Sequence, residues 1–284
     1  MLGLKNSKIV WFSAKIFVPF RIKNKLEICP ILDKMCKHKN LNNLISFKLI
    51  FNFWNDKKNN INLMTHHIKK SSDIWKNWKC FEIKNSNLTF RKILNIKSLI
   101  LIKIQNLVNN NFNLKIKLLK KNYSKRIFLS KENFFQKYTK IEIEQLCKKY
   151  MANYNCNIIR DYNFLKWKYL NHSKSFKVLT YKNNNILIGF LILSFEKNGI
   201  IRIYEFIGYK LKKKLPEILK IIKDYSKGYI FLETKFINNQ LIKSWFKEGF
   251  KVEKKIFDQF SFLYNKNYEK MNNLSTYFTF GDFK

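Results

Sequence analysis

The sequence predicts an α/β fold: a mixed, mostly antiparallel sheet flanked by helices, preceded by a smaller, less regular N-terminal α/β part. Three observations carry this. In the second half, apolar residues recur at helical spacing in several stretches. Between those stretches lie apolar runs of up to ten residues, bounded by Asn, Gly and Glu-Lys turns, which read as strands. At 46% hydrophobic and 17% aromatic the chain is too apolar to stay disordered, and 284 residues make room for roughly two units of about 150 residues.

In the first half, residues 99–119 alternate apolar runs with Asn109, Asn110, Asn111 and lysines, and residues 115–126 are charged and turn-prone. This places a boundary near residue 125, dividing the chain into 1–125 and 126–284.

The second half parses element by element. Thr139 and Glu142 have capping-box spacing, which starts a helix whose Ile143, Leu146, Cys147 and Tyr150 share one face. Asp161 caps a second short helix through Phe164, Leu165 and Tyr169. Residues 176–181 and 186–195 are strands joined by Asn183, Asn184 and Asn185 as a hairpin, and residues 196–199 turn the chain into a third strand at 200–207. Pro216 suits the first turn of a helix bearing Leu215, Ile218, Leu219, Ile222 and Tyr225, stopped by Gly228. Residues 229–233 form a strand, and residues 239–248 a helix with Leu241, Ile242, Trp245 and Phe246 apolar and Gly249 as its C-cap. Residues 250–264 offer one or two last strands. The resulting order is α-α-β-β-β-α-β-α-β.

Charge and composition narrow the function. The formal net charge of +37 would suit a nucleic-acid binder. Lysine, however, outnumbers arginine 51 to 5, and Asn and Ile stand at 36 each while Gly is 7 and Pro 3. That bias is what A/T-rich codons produce, and it starves the chain of the bidentate arginine fork that reads phosphates and guanine edges. No apolar run approaches the ~18 residues of a membrane span, and residues 9–14 are too short for a signal segment. Five cysteines (Cys29, Cys36, Cys80, Cys147, Cys156) form no Cys-x-x-Cys pair, which points to a reduced, cytoplasmic setting. Cys36 with His38, and His66 with His67, lack companions at zinc spacing, so no metal is expected. Trp75 and Trp78 at i, i+3 read as core, and no Gly-x-Ser-x-Gly, P-loop or dinucleotide fingerprint is present.

Glu205 stands out on pattern alone. In the strand Ile201-Arg202-Ile203-Tyr204-Glu205-Phe206-Ile207, period two puts it on one face with Ile201, Ile203 and Ile207. A carboxylate there loses solvation, which raises its pKa and suits a general base; the alternatives are a strand-end glutamate paired with a lysine, or one on the solvent side of a half-covered sheet.

Several of these segments together resemble the GNAT superfamily of N-acetyltransferases over about residues 130–284. Asn239-Gln240-Leu241-Ile242-Lys243-Ser244-Trp245-Phe246-Lys247-Glu248-Gly249-Phe250 is similar to the GNAT segment in which Asn opens a helix and Gly-Phe closes it beside the acyl-CoA. Arg160-Asp161-Tyr162-Asn163-Phe164-Leu165-Lys166-Trp167-Lys168-Tyr169-Leu170 resembles the Arg-Asp…Leu-x-Trp-Arg-Tyr signature of GNAT-like acyltransferases from bacterial surface-polysaccharide gene clusters, with Lys168 in place of the usual arginine. Phe278-Thr279-Phe280-Gly281-Asp282 is similar to the ending of those proteins.

The resemblance implies an N-acyltransferase that moves an acyl group from acetyl-CoA or another acyl-CoA to an amine on a small-molecule or glycan-precursor acceptor, or a diverged relative with weak cofactor binding. It implies Glu205 as base, and a V-shaped split between the strands at 200–207 and 229–233. Asn239, Gly249 and Phe250 are implied on the cofactor side, with Arg160, Trp167, Lys168 and Tyr169 on the acceptor side. The glycine-rich pyrophosphate loop of the family is replaced by Gly208-Tyr209-Lys210-Leu211-Lys212-Lys213-Lys214. There Lys210, Lys212, Lys213 and Lys214 either stand in for the missing loop amides or form a solvated run. In the first half, residues 15–25 with a helix at 26–35 and a strand at 50–56 resemble a degenerate or truncated second GNAT unit. Two other classes stay open: a basic RNA-binding or ribonucleoprotein component, and a non-catalytic interaction module.

Overall fold

The computed structural model describes residues 2–5, 8–22, 25–37, 61–68, 80–82, 88–108, 128–208, 211–235, 239–253, 259–265, 276–277 and 279. In chain order the elements are β1 (Leu2–Lys5), β2 (Lys8–Ile22), β3 (Lys25–Lys37), β4 (Ile61–Ile68), β5 (Phe81–Glu82), β6 (Thr89–Ile93), α1 (Ile96–Val108), β7 (Leu129–Ser130), α2 (Lys131–Lys137), α3 (Lys140–Met151), β8 (Cys156–Ile158), α4 (Tyr162–Leu165, continuing as a π turn over Lys166–Leu170), β9 (Phe176–Asn183), β10 (Ile186–Phe195), β11 (Ile200–Gly208), α5 (Leu215–Tyr225), β12 (Phe231–Thr234), α6 (Asn239–Lys247), β13 (Lys251–Glu253), β14 (Gln259–Asn265) and β15 (Thr276–Tyr277).

They build two sheets. One runs β15-β8-β2-β3-β4-β14-β5, with β1 on β2; the other has seven strands in the order β13-β6-β12-β11-β10-β9-β7. In the second sheet only β11 and β12 pair in parallel, joined through α5; its other neighbours are antiparallel. The sheets do not divide at residue 125. The seven-stranded sheet takes β6 from before that point, and β8, β14 and β15 from after it enter the other sheet.

Local chemistry explains the elements that were foreseen. The Thr139 hydroxyl accepts from the Glu142 amide, and the Glu142 carboxylate accepts from the Thr139 amide, which closes a capping box at the start of α3. The buried face of α3 is the expected one, Ile143, Leu146, Cys147 and Tyr150. Asp161 caps α4 by accepting from the Phe164 amide at 2.7 Å. The β9–β10 hairpin turns on Asn184 and Asn185, both at positive φ, as the tight primed turn requires. Gly249, at φ +81°, ends α6 as its C-cap.

Residues 26–35, expected as a helix, lie in β3. Pro30 sits in the middle of that stretch, where a helix would lose about 3 kcal/mol. As a strand it pairs along β2, with Phe17 opposite Pro30 and Val18 opposite Cys29. The period-two burial of Val18, Phe20 and Ile22 matches that pairing. The strand expected at 50–56 lies outside the described residues, as do Lys210, Phe278, Phe280, Gly281 and Asp282. The strand expected at 229–233 begins at Phe231, and the last strands separate: β13 joins β6 while β14 joins β4.

A β-bulge changes the face on which Glu205 lies. Ile203 is opposite Leu193, but Glu205 is opposite Ile192, so β11 carries one extra residue at this point. Adjacent β10 residues point to opposite faces, so Glu205 leaves the Ile201–Ile203 face and joins that of Arg202, Tyr204 and Ile207. Helices α2, α3 and α4 pack on this face, where Phe134 meets Phe190. On the other face Phe206 meets Trp245 of α6.

Candidate functional site

Glu205 is fully buried, yet its carboxylate is well supplied with donors. The Tyr169 hydroxyl donates to one oxygen at 2.7 Å; the Tyr277 hydroxyl, at 3.2 Å, and Arg160 Nε, at 3.4 Å, donate to the other. Arg160 is itself buried: Nη1 donates to the Ile158 carbonyl at 2.6 Å, and its guanidinium lies 4.8 Å from the centre of the Tyr277 ring. Tyr277 also packs edge-on to Tyr150 at 5.7 Å and against Tyr154 at 5.1 Å, and the Tyr154 hydroxyl donates to that of Tyr150. Burial first, and the Glu205 charge after it, hold the Tyr277 phenol well above its ordinary range. Burial and next the Tyr154 hydroxyl do the same for Tyr150, so both remain protonated donors at neutral pH. The Cys147 thiol is also pushed up, by burial and then by Glu205.

The sheet opens beside this cluster. β11 pairs with β12 from Ile200 opposite Phe231 to Ile203 opposite Thr234, and there β12 ends while β11 runs on to Gly208 along β10. Thr234, the last paired residue, is fully buried, and its hydroxyl has no hydrogen-bond partner among the described residues. Past this point the Phe206 amide donates to the Tyr277 hydroxyl at 3.3 Å, and that hydroxyl lies 3.1 Å from the Phe206 carbonyl. At the far end Gly208 and Gly189 let β11 and β10 approach closely: a Cβ on Gly208 would lie 2.4 Å from the Gly189 Cα, and φ there is +149°.

The predicted cofactor side is split among elements. Lys212, Lys213 and Lys214 are exposed in the turn that leads into α5, with Lys214 at its N-cap and 3.1 Å from Glu217. Asn239 opens α6, as expected from its position. Phe250 is buried against Trp245, ring centres 4.7 Å apart, so the Gly249–Phe250 corner closes the core behind Phe206.

On the predicted acceptor side, the π turn divides its residues between two roles. Tyr169 points inward to Glu205; Trp167 is 45% exposed, with the Lys168 ammonium 5.7 Å from its ring centre. Arg160, Tyr169 and Glu205 are thus one contact cluster, while Trp167 and Lys168 mark its outer rim.

Sequence reasoning missed Tyr277, Tyr150 and Tyr154 as partners of Glu205, since nothing in the local pattern near Tyr277 announces a contact 72 residues away. It also missed a second charged cluster on the same face. Arg91 Nε and Arg202 Nε hold the buried Glu233 at 3.0 and 2.8 Å; Arg91 reaches Glu253 at 2.6 Å, and Glu196 pairs with Arg202 and Lys174. Among the described residues, Arg91, Arg160 and Arg202 are therefore engaged with carboxylates.

No protein-family model matches the chain, and no curated protein does. Its fold is similar to that of Saccharomyces cerevisiae N-myristoyltransferase solved with bound myristoyl-CoA and inhibitors, at TM-score 0.53 and 14% identity, over 92% of this chain and 66% of that one. A further structure of that enzyme with bound myristoyl-CoA gives TM-score 0.52 and 13% identity, over 92% and 68%. A probable N-acyltransferase from Enterococcus faecalis V583 gives TM-score 0.52 and 8% identity, over 90% of this chain and 59% of that one. The chain spans about two thirds or less of the length of these proteins. It has the fold of the GNAT superfamily of N-acyltransferases.

Proposed function

We propose that the protein is a GNAT-type N-acyltransferase that carries an acyl group from CoA to an amine. The observation that supports this most is the parting of β11 from β12 at Ile203 and Thr234, beside the bulge that turns Glu205 into a hydrogen-bonded cluster, within a fold shared with N-acyltransferases. In this reading the acyl thioester lies in the split. Lys212, Lys213 and Lys214 meet the CoA phosphates from the N-terminal end of α5, where lysine charge and the helix dipole favour an anion, and Lys210, outside the described residues, adds to them. Asn239, Gly249 and Phe250 shape the α6 wall.

Glu205 takes the proton from the attacking amine. As the amine nitrogen bonds the acyl carbon, the thioester C–S bond breaks and the CoA thiolate leaves. Arg160 and Tyr169 hold the carboxylate in place, and Trp167 and Lys168 present an aromatic face and a cation to the acceptor. An amino sugar or another glycan precursor fits those two groups, the ring through stacking and any phosphate through the ammonium. The catalytic unit is residues 126–284 together with β6, which the seven-stranded sheet requires.

Titration calorimetry with acetyl-CoA and myristoyl-CoA tests the donor. Binding of either, weakened when Lys212, Lys213 and Lys214 become Ala and retained in Glu205→Gln, is the expected result. No binding of either at millimolar concentration overturns the proposal.

A further inference from the structure

We propose that Tyr277 is the gating residue of the split: its hydroxyl occupies the open edge of β11 in place of a neighbouring strand and yields that edge to the acyl donor. The inference rests on the acyltransferase reading above and adds a residue to it.

The N–H and C=O of a strand residue point to the same side of the strand. The Phe206 amide donates to the Tyr277 hydroxyl at 3.3 Å, and the same hydroxyl is 3.1 Å from the Phe206 carbonyl. One phenol therefore meets both backbone groups, as a partner strand would. Its position also fits the edge on which β12 has ended, since β12 pairs with β11 only as far as Ile203. The Phe206 amide is aimed at the Tyr277 hydroxyl, so the side of β11 bonded to Tyr277 is the one turned away from β10 at this residue.

The phenol is not held there by the split. Tyr277 belongs to β15, which pairs with β8 in the other sheet through Tyr277 opposite Asn157. Its ring is gripped by Tyr150, Tyr154 and the Arg160 guanidinium. The hydroxyl reaches beyond these ring contacts and touches both the split and Glu205. It has a single proton to give, with the Phe206 carbonyl and a Glu205 oxygen both within reach, at 3.1 and 3.2 Å. A ligand that pairs with the Phe206 backbone must take over both of its groups. The phenol then gives its hydrogen bond wholly to Glu205, so entry of the donor and the hydrogen bonding of the carboxylate are one event.

Tyr277→Phe removes the hydroxyl and keeps the ring. Under this proposal the donor no longer competes with a hydrogen-bonded occupant, so acetyl-CoA binds about tenfold more tightly to the variant than to the unchanged chain in titration calorimetry, the yield of about one competing hydrogen bond. Amide exchange measured by NMR reports the contact itself: the Phe206 amide exchanges faster in the ligand-free variant, while amides of β9 and β10 keep their rates. Equal acetyl-CoA affinity in both chains overturns the gate and leaves the acyltransferase reading standing. An absence of binding in both overturns the two together. In the unchanged chain, where folding is not in question, acetyl-CoA saturation shifts the phenol carbon resonance of labelled Tyr277; an unmoved resonance at saturation also overturns the gate.

Discussion

Glu205 and Glu233 lie on the same face of the seven-stranded sheet, both fully buried, and are satisfied by different chemistry. Glu233 is held by two guanidinium groups, and its ladder runs on through Arg91 to Glu253 and through Arg202 to Glu196 and Lys174, tying β6, β12, β11 and β13 together. Glu205 has one arginine at 3.4 Å and takes its shorter hydrogen bonds from the hydroxyls of Tyr169 and Tyr277. A carboxylate between two guanidinium groups is anchored from both sides. One held by phenols sits among groups that can pass a proton. Under the proposed function, Glu233 belongs to the framework and Glu205 to the chemistry.

The largest expected effect is therefore on stability at Glu233. Glu233→Ala strands two arginines in a partly buried site, so the chain loses about 3–5 kcal/mol in urea unfolding. Glu205→Gln, which keeps an acceptor and leaves a single arginine short of charge, costs about 1–3 kcal/mol in the same measurement and abolishes acyl transfer. If Glu205→Gln destabilises as much as Glu233→Ala, both carboxylates are structural and the distinction fails.

A smaller effect sharpens the comparison from outside both clusters. Thr139→Ala removes one half of the α3 capping box and costs about 1 kcal/mol with acetyl-CoA binding unchanged.

The smallest effect concerns pH at the open end of the ladder. Burial pushes the Glu196 carboxyl up, but hydrogen bonds from Lys174 and Ser194 and the Arg202 charge outweigh it and hold the group below its ordinary 4.5. A lowered folded pKa contributes stability above pH 4.5 that disappears as pH falls below it. Urea midpoints of the unchanged chain and Glu196→Gln should thus differ at pH 7 and converge in acid. A gap that stays constant across that range would remove the ladder from the acid response.

What was legible in the sequence divides along the same line between local and distant. Thr139 with Glu142, Asp161, the Asn184–Asn185 turn, Pro216 and Gly249 each set a terminus through neighbours a few residues away, and the second-half elements follow their order. Glu205 is legible because a lone carboxylate interrupts an apolar strand. Its face is not, because a bulge has no residue signature in Ile203-Tyr204-Glu205: only the register against β10 reveals it. Residues 26–35, which by resemblance to a second GNAT unit suggest a helix, lie within the strand Lys25–Lys37, and Pro30 in their middle speaks against a helix. Membership of β6 in the seven-stranded sheet, the ladder through Arg91, and Tyr277 at the split all depend on contacts more than 70 residues apart, which no local pattern encodes. The +37 charge also gains meaning. Arginine stands at the two buried carboxylates, where a fork reaches several atoms, while Lys212, Lys213 and Lys214 stay exposed.

The central claim is that the split between β11 and β12 receives an acyl donor. Titration calorimetry of acetyl-CoA against the unchanged chain, and against the chain with Lys212, Lys213 and Lys214 all changed to Ala, tests it most directly. The account predicts saturable binding to the first and at least tenfold weaker binding to the second; equal binding to both, or none to either, would contradict it.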